Sequence, residues 1–222
     1  MADTGKEKVI KRKITAAAFA LLAAAALAET TPAMVSLVTP VQAPSCSHDV
    51  TGFRLSLIYG DCAEFTGLDL GLAQHASGDF TGLALGGVNI AGGRTVGGQV
   101  GLVNWSCDAD PEWRQISKGG QLGLLNYAGS LCGYQGGLVN AAGTTFVGHQ
   151  HGLVNCTDDM TGLQCGFYFI FGVNIASGSV RGCQIGLFNY AETMECGLQI
   201  GLVNVIARNG WLPVLPLVNG RF

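Results

Sequence analysis

The sequence predicts an all-β chain: an up-and-down antiparallel β-barrel of about 10–12 strands, one per 15-residue repeat. A β-solenoid with one coil per repeat is the alternative. Three observations lead there. Asparagines close a recurring phrase at Asn89, Asn104, Asn126, Asn140, Asn155, Asn174, Asn189, Asn204 and Asn219, with separations of 15, 22, 14, 15, 19, 15, 15 and 15 residues. Inside each phrase, aliphatic residues alternate with glycine and glutamine, the period-2 signature of a two-faced strand. Charge is scarce: 12% of residues are charged, against roughly 25% in an ordinary soluble domain.

Taken in chain order, Lys6, Lys8, Lys11, Arg12 and Lys13 precede the apolar run ITAAAFALLAAAALA, and Ala26-Leu27-Ala28 follows as a small-x-small cleavage site. That layout predicts a secretory signal peptide over 1–28, because an apolar run of about 15 residues is short for a spanning helix. Its removal takes away five basic and two acidic residues, leaving 7 basic against 13 acidic. A net charge near −6 argues against nucleic acid as a partner. Residues 29–51, with Pro32, Pro40 and Pro44, read as a linker or poorly ordered lead-in.

The repeat domain is expected over 52–222. Fifteen residues before Asn89 stands Gln74, and fifteen before that Tyr59, each closing a similar phrase (GLDLGLAQ, GFRLSLIY), which makes eleven units in all. With the first glycine numbered zero, position 1 is usually Leu, 2 Gln, 3 aliphatic, 4 Gly, 5 Leu, 6 Val and 7 Asn. One face of the strand is therefore aliphatic (Leu198, Ile200, Leu202) and the other small and neutral (Gly197, Gln199, Gly201). Arg54 and Asp69 are the only charged side chains inside the phrases, both at position 2. A lipid-facing surface excludes charge at about 2–4 kcal/mol for Arg or Lys at mid-bilayer, which favours the barrel. On that reading Arg54 and Asp69 form a lumen-facing pair on neighbouring strands. The alternative solenoid would stack aliphatics inside, with an asparagine ladder at a corner. Pro213 and Pro216 suit an irregular solenoid end better than a strand paired on both sides, and eleven is an odd number for a bacterial barrel. The unit Gly162–Asn174 is stretched internally.

The phrase GLQIGLVN at fifteen-residue spacing, closing in NGWLPVLPLVNGRF (Asn209–Phe222), resembles the short tandem surface-repeat family of spirochaetes and other Gram-negative bacteria. The resemblance covers roughly Gly52–Phe222 and implies an envelope or cell-surface protein. It brings no catalytic residues with it.

The candidate sites outside the phrase pattern are few. Among the eight cysteines, Cys132 and Cys196 share position −1 and are the candidates for disulfide bonding in an exported chain; Cys165 and Cys183 stand at aliphatic positions, which favours packing. His149 and His151 lie on one strand face, a two-imidazole geometry that suits a metal but lacks an evident third ligand. The connection holding Trp105, Asp108, Asp110, Glu112 and Trp113 lacks the turn glycine of a calcium loop and is the candidate partner-contact loop. Asn104-Trp105-Ser106 and Asn155-Cys156-Thr157 match the glycosylation pattern only because asparagine is the repeat residue. No catalytic fingerprint occurs, so no cofactor, bound metal or enzymatic activity is expected.

The expectation is a non-enzymatic outer-membrane or surface β-barrel of a Gram-negative bacterium, in contact with outer-membrane lipid, with a structural or surface-exposed role that extends to a narrow pore. The alternative is an exported β-solenoid acting as an adhesion or interaction module.

Overall fold

A computed structural model of the chain describes residues 30–107, 116–168, 171–210 and 212–222. The expected signal peptide, 1–28, lies outside the described residues. Within them the chain is all β, without an α-helix, and the strands of successive repeats run parallel and in register. Gly67 lies beside Gly82, Gly82 beside Gly97, Gly97 beside Gly119, and Asn140 beside Asn155. This is a β-solenoid. An up-and-down barrel needs antiparallel neighbours, so the barrel expectation is corrected.

Each coil uses its fifteen residues in the same way. In one coil, Thr145–His151 forms the first strand, Gly152-Leu153 the corner, and Val154–Thr157 the second strand. Positions −2 and 2 of the first strand and positions 7 and 9 of the second point inward. The parity changes across the corner, so positions 5 and 6 both face out. At a parallel spacing of about 4.8 Å, the ten glycine-led coils from Gly52 to Gly197 form a stack roughly 45 Å long.

The first glycine of the phrase is dictated by this stacking. Gly148 has φ +137°, and a Cβ there would lie 1.9 Å from the carbonyl oxygen of Gly133 in the coil below. An L-residue would meet both the strained dihedral and backbone that cannot move aside.

The ends depart from the repeat. Residues 29–51, expected as a linker, instead contribute the strand Thr30–Val38, which pairs parallel with Asp49–Cys62, and the short strand Val41–Ala43, which folds back antiparallel on it. In the first coil the register slips between Ser56 and Tyr59, so Gly60 rather than Tyr59 lies beside Gln74. The eleventh unit is not a coil: Val214–Arg221 runs antiparallel along the last coil, and Pro216 falls where that register shifts. Proline, which has no N–H to donate, is tolerated in such an irregular terminal strand.

The interior is polar to an unusual degree. Gln99, Gln121, Gln135, Gln150, Gln164, Gln184 and Gln199 stack at position 2, each at most 2% exposed. From Gln121 onward each amide donates to the glutamine of the preceding coil, as Gln150 Nε2 does to Gln135 Oε1 at 2.7 Å and Gln135 Nε2 to Gln121 Oε1 at 2.8 Å. Where the second amide hydrogen is placed, it meets a backbone carbonyl of the opposite strand, such as Ala141 O at 3.0 Å from Gln135. The asparagines from Asn89 to Asn204 form a second ladder, but each up to Asn189 donates to the asparagine of the following coil, as Asn140 Nδ2 does to Asn155 Oδ1 at 2.8 Å. The two ladders therefore carry opposed amide dipoles. Their open ends follow from the directions: Gln199 Oε1 at one end and Asn89 Oδ1 at the other are buried acceptors without a partner.

Apolar side chains fill the remaining columns in three separate clusters. One runs from Met34 to Ala91, one joins Ala128, Leu131, Ala142 and Phe146, and one runs from Met160 to Ile206. Between the first two lies a polar layer in which Thr95 Oγ1 and Ser106 Oγ are 2.7 Å apart and Ser106 Oγ is 3.2 Å from Gln99 Oε1. The solenoid expected from sequence had aliphatics inside. The opposite holds because a polar amide at positions 2 and 7 gains a partner in every adjacent coil, whereas an aliphatic there would leave the surrounding carbonyls buried and unpaired.

Candidate functional site

The outer surface is where the aliphatic half of the phrase goes. Position 5 lies at the corner, and its leucines form a column from Leu57 and Leu72 through Leu102, Leu124 and Leu138 to Leu202, each between 40% and 63% exposed. Val100, Leu122 and Ile200 at position 3 widen the strip. Of the residues expected on the outer face, Ile200 and Leu202 are exposed and Leu198 is half-buried. One leucine per coil gives an apolar ridge broken at Gly87 and at the stretched repeat. On the second strand face, Trp105 stacks on Tyr127 with ring centroids 4.1 Å apart. A shallow cleft of about 220 Å³ lies there, lined by Val103, Trp105, Leu125, Tyr127, Val139 and Ala141 among others.

Arg54 and Asp69 occupy adjacent rungs of the position-2 column, each 1% exposed. Arg54 Nε donates to Asp69 Oδ1 at 2.8 Å and Nη2 to Asp69 Oδ2. Nη1 donates to the carbonyl of His75 at 2.7 Å and contacts Cys62 Sγ at 2.9 Å, and the guanidinium lies 5.0 Å over the ring of Phe65. Burial pulls the Arg54 pKa down, but the hydrogen bonds and charge of Asp69 more than offset this and hold it above its ordinary value. Burial pushes the Cys62 thiol up to about 12, so it stays neutral beside the guanidinium. The pair faces a packed interior rather than a lumen.

The disulfide candidates are kept apart by the coil spacing. Cys132 and Cys196 share one column, through Val147, Thr161 and Arg181, but four coils separate them. At about 4.8 Å per coil that is roughly 19 Å, far beyond the reach of a disulfide. No disulfide forms among the described cysteines. In the candidate partner-contact loop, Trp105 is placed as above, while Asp108, Asp110, Glu112 and Trp113 lie outside the described residues. Asn104 and Asn155 are fully buried in the ladder, which closes both sequons to a glycosyl donor in the folded chain.

Stacking brings a third donor, Cys165, to the two histidines. Parallel register sets His151 beside Cys165, and His149 beside Tyr134 and Leu163. One donor atom from each of His149, His151 and Cys165 lies within 4.8 Å of the other two. Cys165 stands at position 3, which is outward in most coils, yet it is buried. The stretched repeat begins there. Two residues after Cys165, Phe167 pairs antiparallel with Phe171, Phe167 N donating to Phe171 O at 2.8 Å and Phe171 N to Phe167 O at 2.9 Å. Phe167 meets His151 edge-on at 5.3 Å, and Tyr134 meets His149 edge-on at 5.6 Å. His149 Nε2 is buried without a hydrogen-bond partner. Burial, aided by the nearby His151, lowers the His149 pKa, so its ring is neutral at neutral pH. The signal for Cys165 was present in the sequence, as a cysteine at the same phrase position as His151 one unit later, but only in-register stacking turns that offset into contact.

No family model matches the chain, and neither a curated protein nor a solved structure is matched by it.

Proposed function

We propose that the protein is an exported, non-enzymatic β-solenoid that acts as an interaction module at the surface of a Gram-negative cell, with the leucine ridge as its working face. The supporting observation is the ridge: one exposed leucine per coil along most of the stack, on a molecule that keeps its amides inside. An apolar strip of this length, even broken at two coils, exceeds what single scattered surface leucines provide and marks a contact surface. The partner it fits is an apolar protein surface repeating at the same spacing, beginning with a second copy of the chain. Two ridges of equal pitch interlock leucine against leucine without leaving polar groups unpaired. The net charge near −6 of the chain without residues 1–28 opposes adsorption to an anionic lipid surface. The repeat resemblance, with its implied envelope location, agrees with this reading.

The experiment is light scattering coupled to size exclusion on the chain from residue 29 onward, prepared without detergent, beside the triple variant Leu102→Gln, Leu124→Gln, Leu138→Gln. The expected result is a soluble wild-type oligomer and a monomeric, folded variant. Wild-type protein that stays monomeric, or that enters solution only with detergent and floats with neutral phospholipid vesicles, overturns the reading.

A further inference from the structure

Two irregularities of the repeat fall at one place on the solenoid: the only phrase with two histidines, and the only repeat stretched internally. The fold stacks them directly, so that the half-buried His149 and His151 of one coil lie against the buried Cys165 of the next. We propose that these three side chains form a zinc site.

The donor set is the first argument. Two imidazoles and a thiolate suit zinc, which accepts nitrogen and sulfur ligands in tetrahedral geometry and keeps a fourth position for water where the protein supplies three. The second is geometry. Bond lengths of about 2.0–2.3 Å place tetrahedral donors roughly 3.5 Å apart. The donors here lie within 4.8 Å of one another, so closure requires movements of about an ångström, within the reach of side-chain rotation. Third, the His149 Nε2 atom is buried and has no hydrogen-bond partner; a lone pair removed from water costs stability unless something binds it, and a metal does so. Fourth, the walls are built. Tyr134 and Phe167 stand edge-on to the two imidazoles, limiting their rotation, and Phe167 is itself held by its antiparallel bridge to Phe171. On binding, Cys165 loses its thiol proton to solvent and zinc takes the thiolate; no oxidant or reductant is involved.

The test uses the chain from residue 29 onward, reduced and metal-free. Calorimetric titration with zinc should show one equivalent bound, and substitution with cobalt should give a thiolate-to-metal charge-transfer band and the visible spectrum of a tetrahedral ion. Cys165→Ser should abolish the charge-transfer band. His151→Gln should weaken zinc by more than about tenfold, a loss that even ligand-orienting neighbours produce. Cys183→Ser and His75→Gln, which alter other outward thiol and imidazole groups, should leave both readouts unchanged. If Cys165→Ser does not fold by circular dichroism, the half-exposed pair His149→Gln, His151→Gln decides through the same titration. A cobalt spectrum without thiolate character, or zinc affinity unchanged in the histidine variants, overturns the proposal.

Discussion

The first coils and the last ones fill the same narrow interior with different chemistry. From Gln99 to Gln199 the position-2 column is a continuous amide ladder, each rung bonded to the one before. In the first three coils the same column reads Arg54, Asp69 and Ala84, and Phe65 stacks on Phe80 at 5.3 Å beside them. An ion pair replaces two rungs, and an alanine ends the column before the amides begin. A ladder of identical amides accepts any one-coil shift of register at little cost, because every rung is equivalent. A buried charge pair accepts only one partner. The repetitive part of the stack is held by equivalent rungs, and the one partner-specific buried contact in the position-2 column is confined to the first two coils. A single buried polar residue fixes register in coiled coils, and the Arg54–Asp69 pair is placed to act the same way here.

The largest break in this comparison comes from the ion pair. Asp69→Asn keeps the shape but leaves the Arg54 guanidinium charged and buried without its counter-ion. It should cost about 3 kcal/mol of unfolding free energy in urea titrations, the lower end of what losing one buried partner costs. The double variant Arg54→Gln, Asp69→Gln turns both positions into amide rungs and should recover most of that loss. If the double variant is no more stable than the single, the first coils depend on the charges themselves, and the two chemistries are not interchangeable.

A smaller effect separates positions within the ladder. Gln150→Leu strands the Gln135 acceptor on one side and the Gln164 donor on the other, so it should destabilise by about 2 kcal/mol. Gln199→Leu removes a rung whose own Oε1 already lacks a partner and strands only the Gln184 acceptor and a backbone carbonyl. It should cost about 1 kcal/mol, measured by the same titration. Equal losses at the two positions would mean that the amide chain confers no advantage beyond single bonds.

The partition between these faces was legible in the sequence, and the architecture was not. Alternation of Leu198, Ile200 and Leu202 with Gly197, Gln199 and Gly201 separated an outer from an inner face correctly, because that follows from strand geometry alone. The same alternation suits a barrel strand and a solenoid strand, so it could not choose between parallel and antiparallel neighbours. The signal that does choose is the fixed direction of the phrase. Identical Gln and Asn at identical positions gain bonds only when every coil runs the same way, since reversal of alternate strands would place Asn140 far from Asn155. Absence of charge on the leucine face suits a lipid boundary, and it follows equally from any surface that must stay apolar. Arg54 and Asp69 were legible as partners from their shared phrase position. Cys165 was not legible as a neighbour of His151 until the register was known, and the slip at Tyr59 left no mark in the fifteen-residue spacing.

The smallest expected effect lies on the outside of the last coils and tests whether surface charges add to the division between the two regions. Glu192 accepts a hydrogen bond from Tyr190 Oη at 2.6 Å and pairs with Arg208 Nε at 2.6 Å. The Tyr190 hydroxyl, helped by Arg208, holds its pKa below the ordinary carboxylate value. A depressed folded pKa contributes stability that is present above the unfolded value and is lost as pH falls through the folded one. Tyr190→Phe should therefore raise the Glu192 pKa toward its ordinary value in a carboxylate NMR titration, and the thermal midpoint should change little because the pair is exposed to solvent screening. Arg54 and Asp69 share one ion pair sealed from water, whereas Glu192 and Arg208 face solvent. Added salt should accordingly shift the Glu192 titration and leave the cost of Asp69→Asn unchanged. A salt-sensitive Asp69→Asn would show that water reaches the first coils, and with it the claim that a dry charge pair marks the start of the stack would fall.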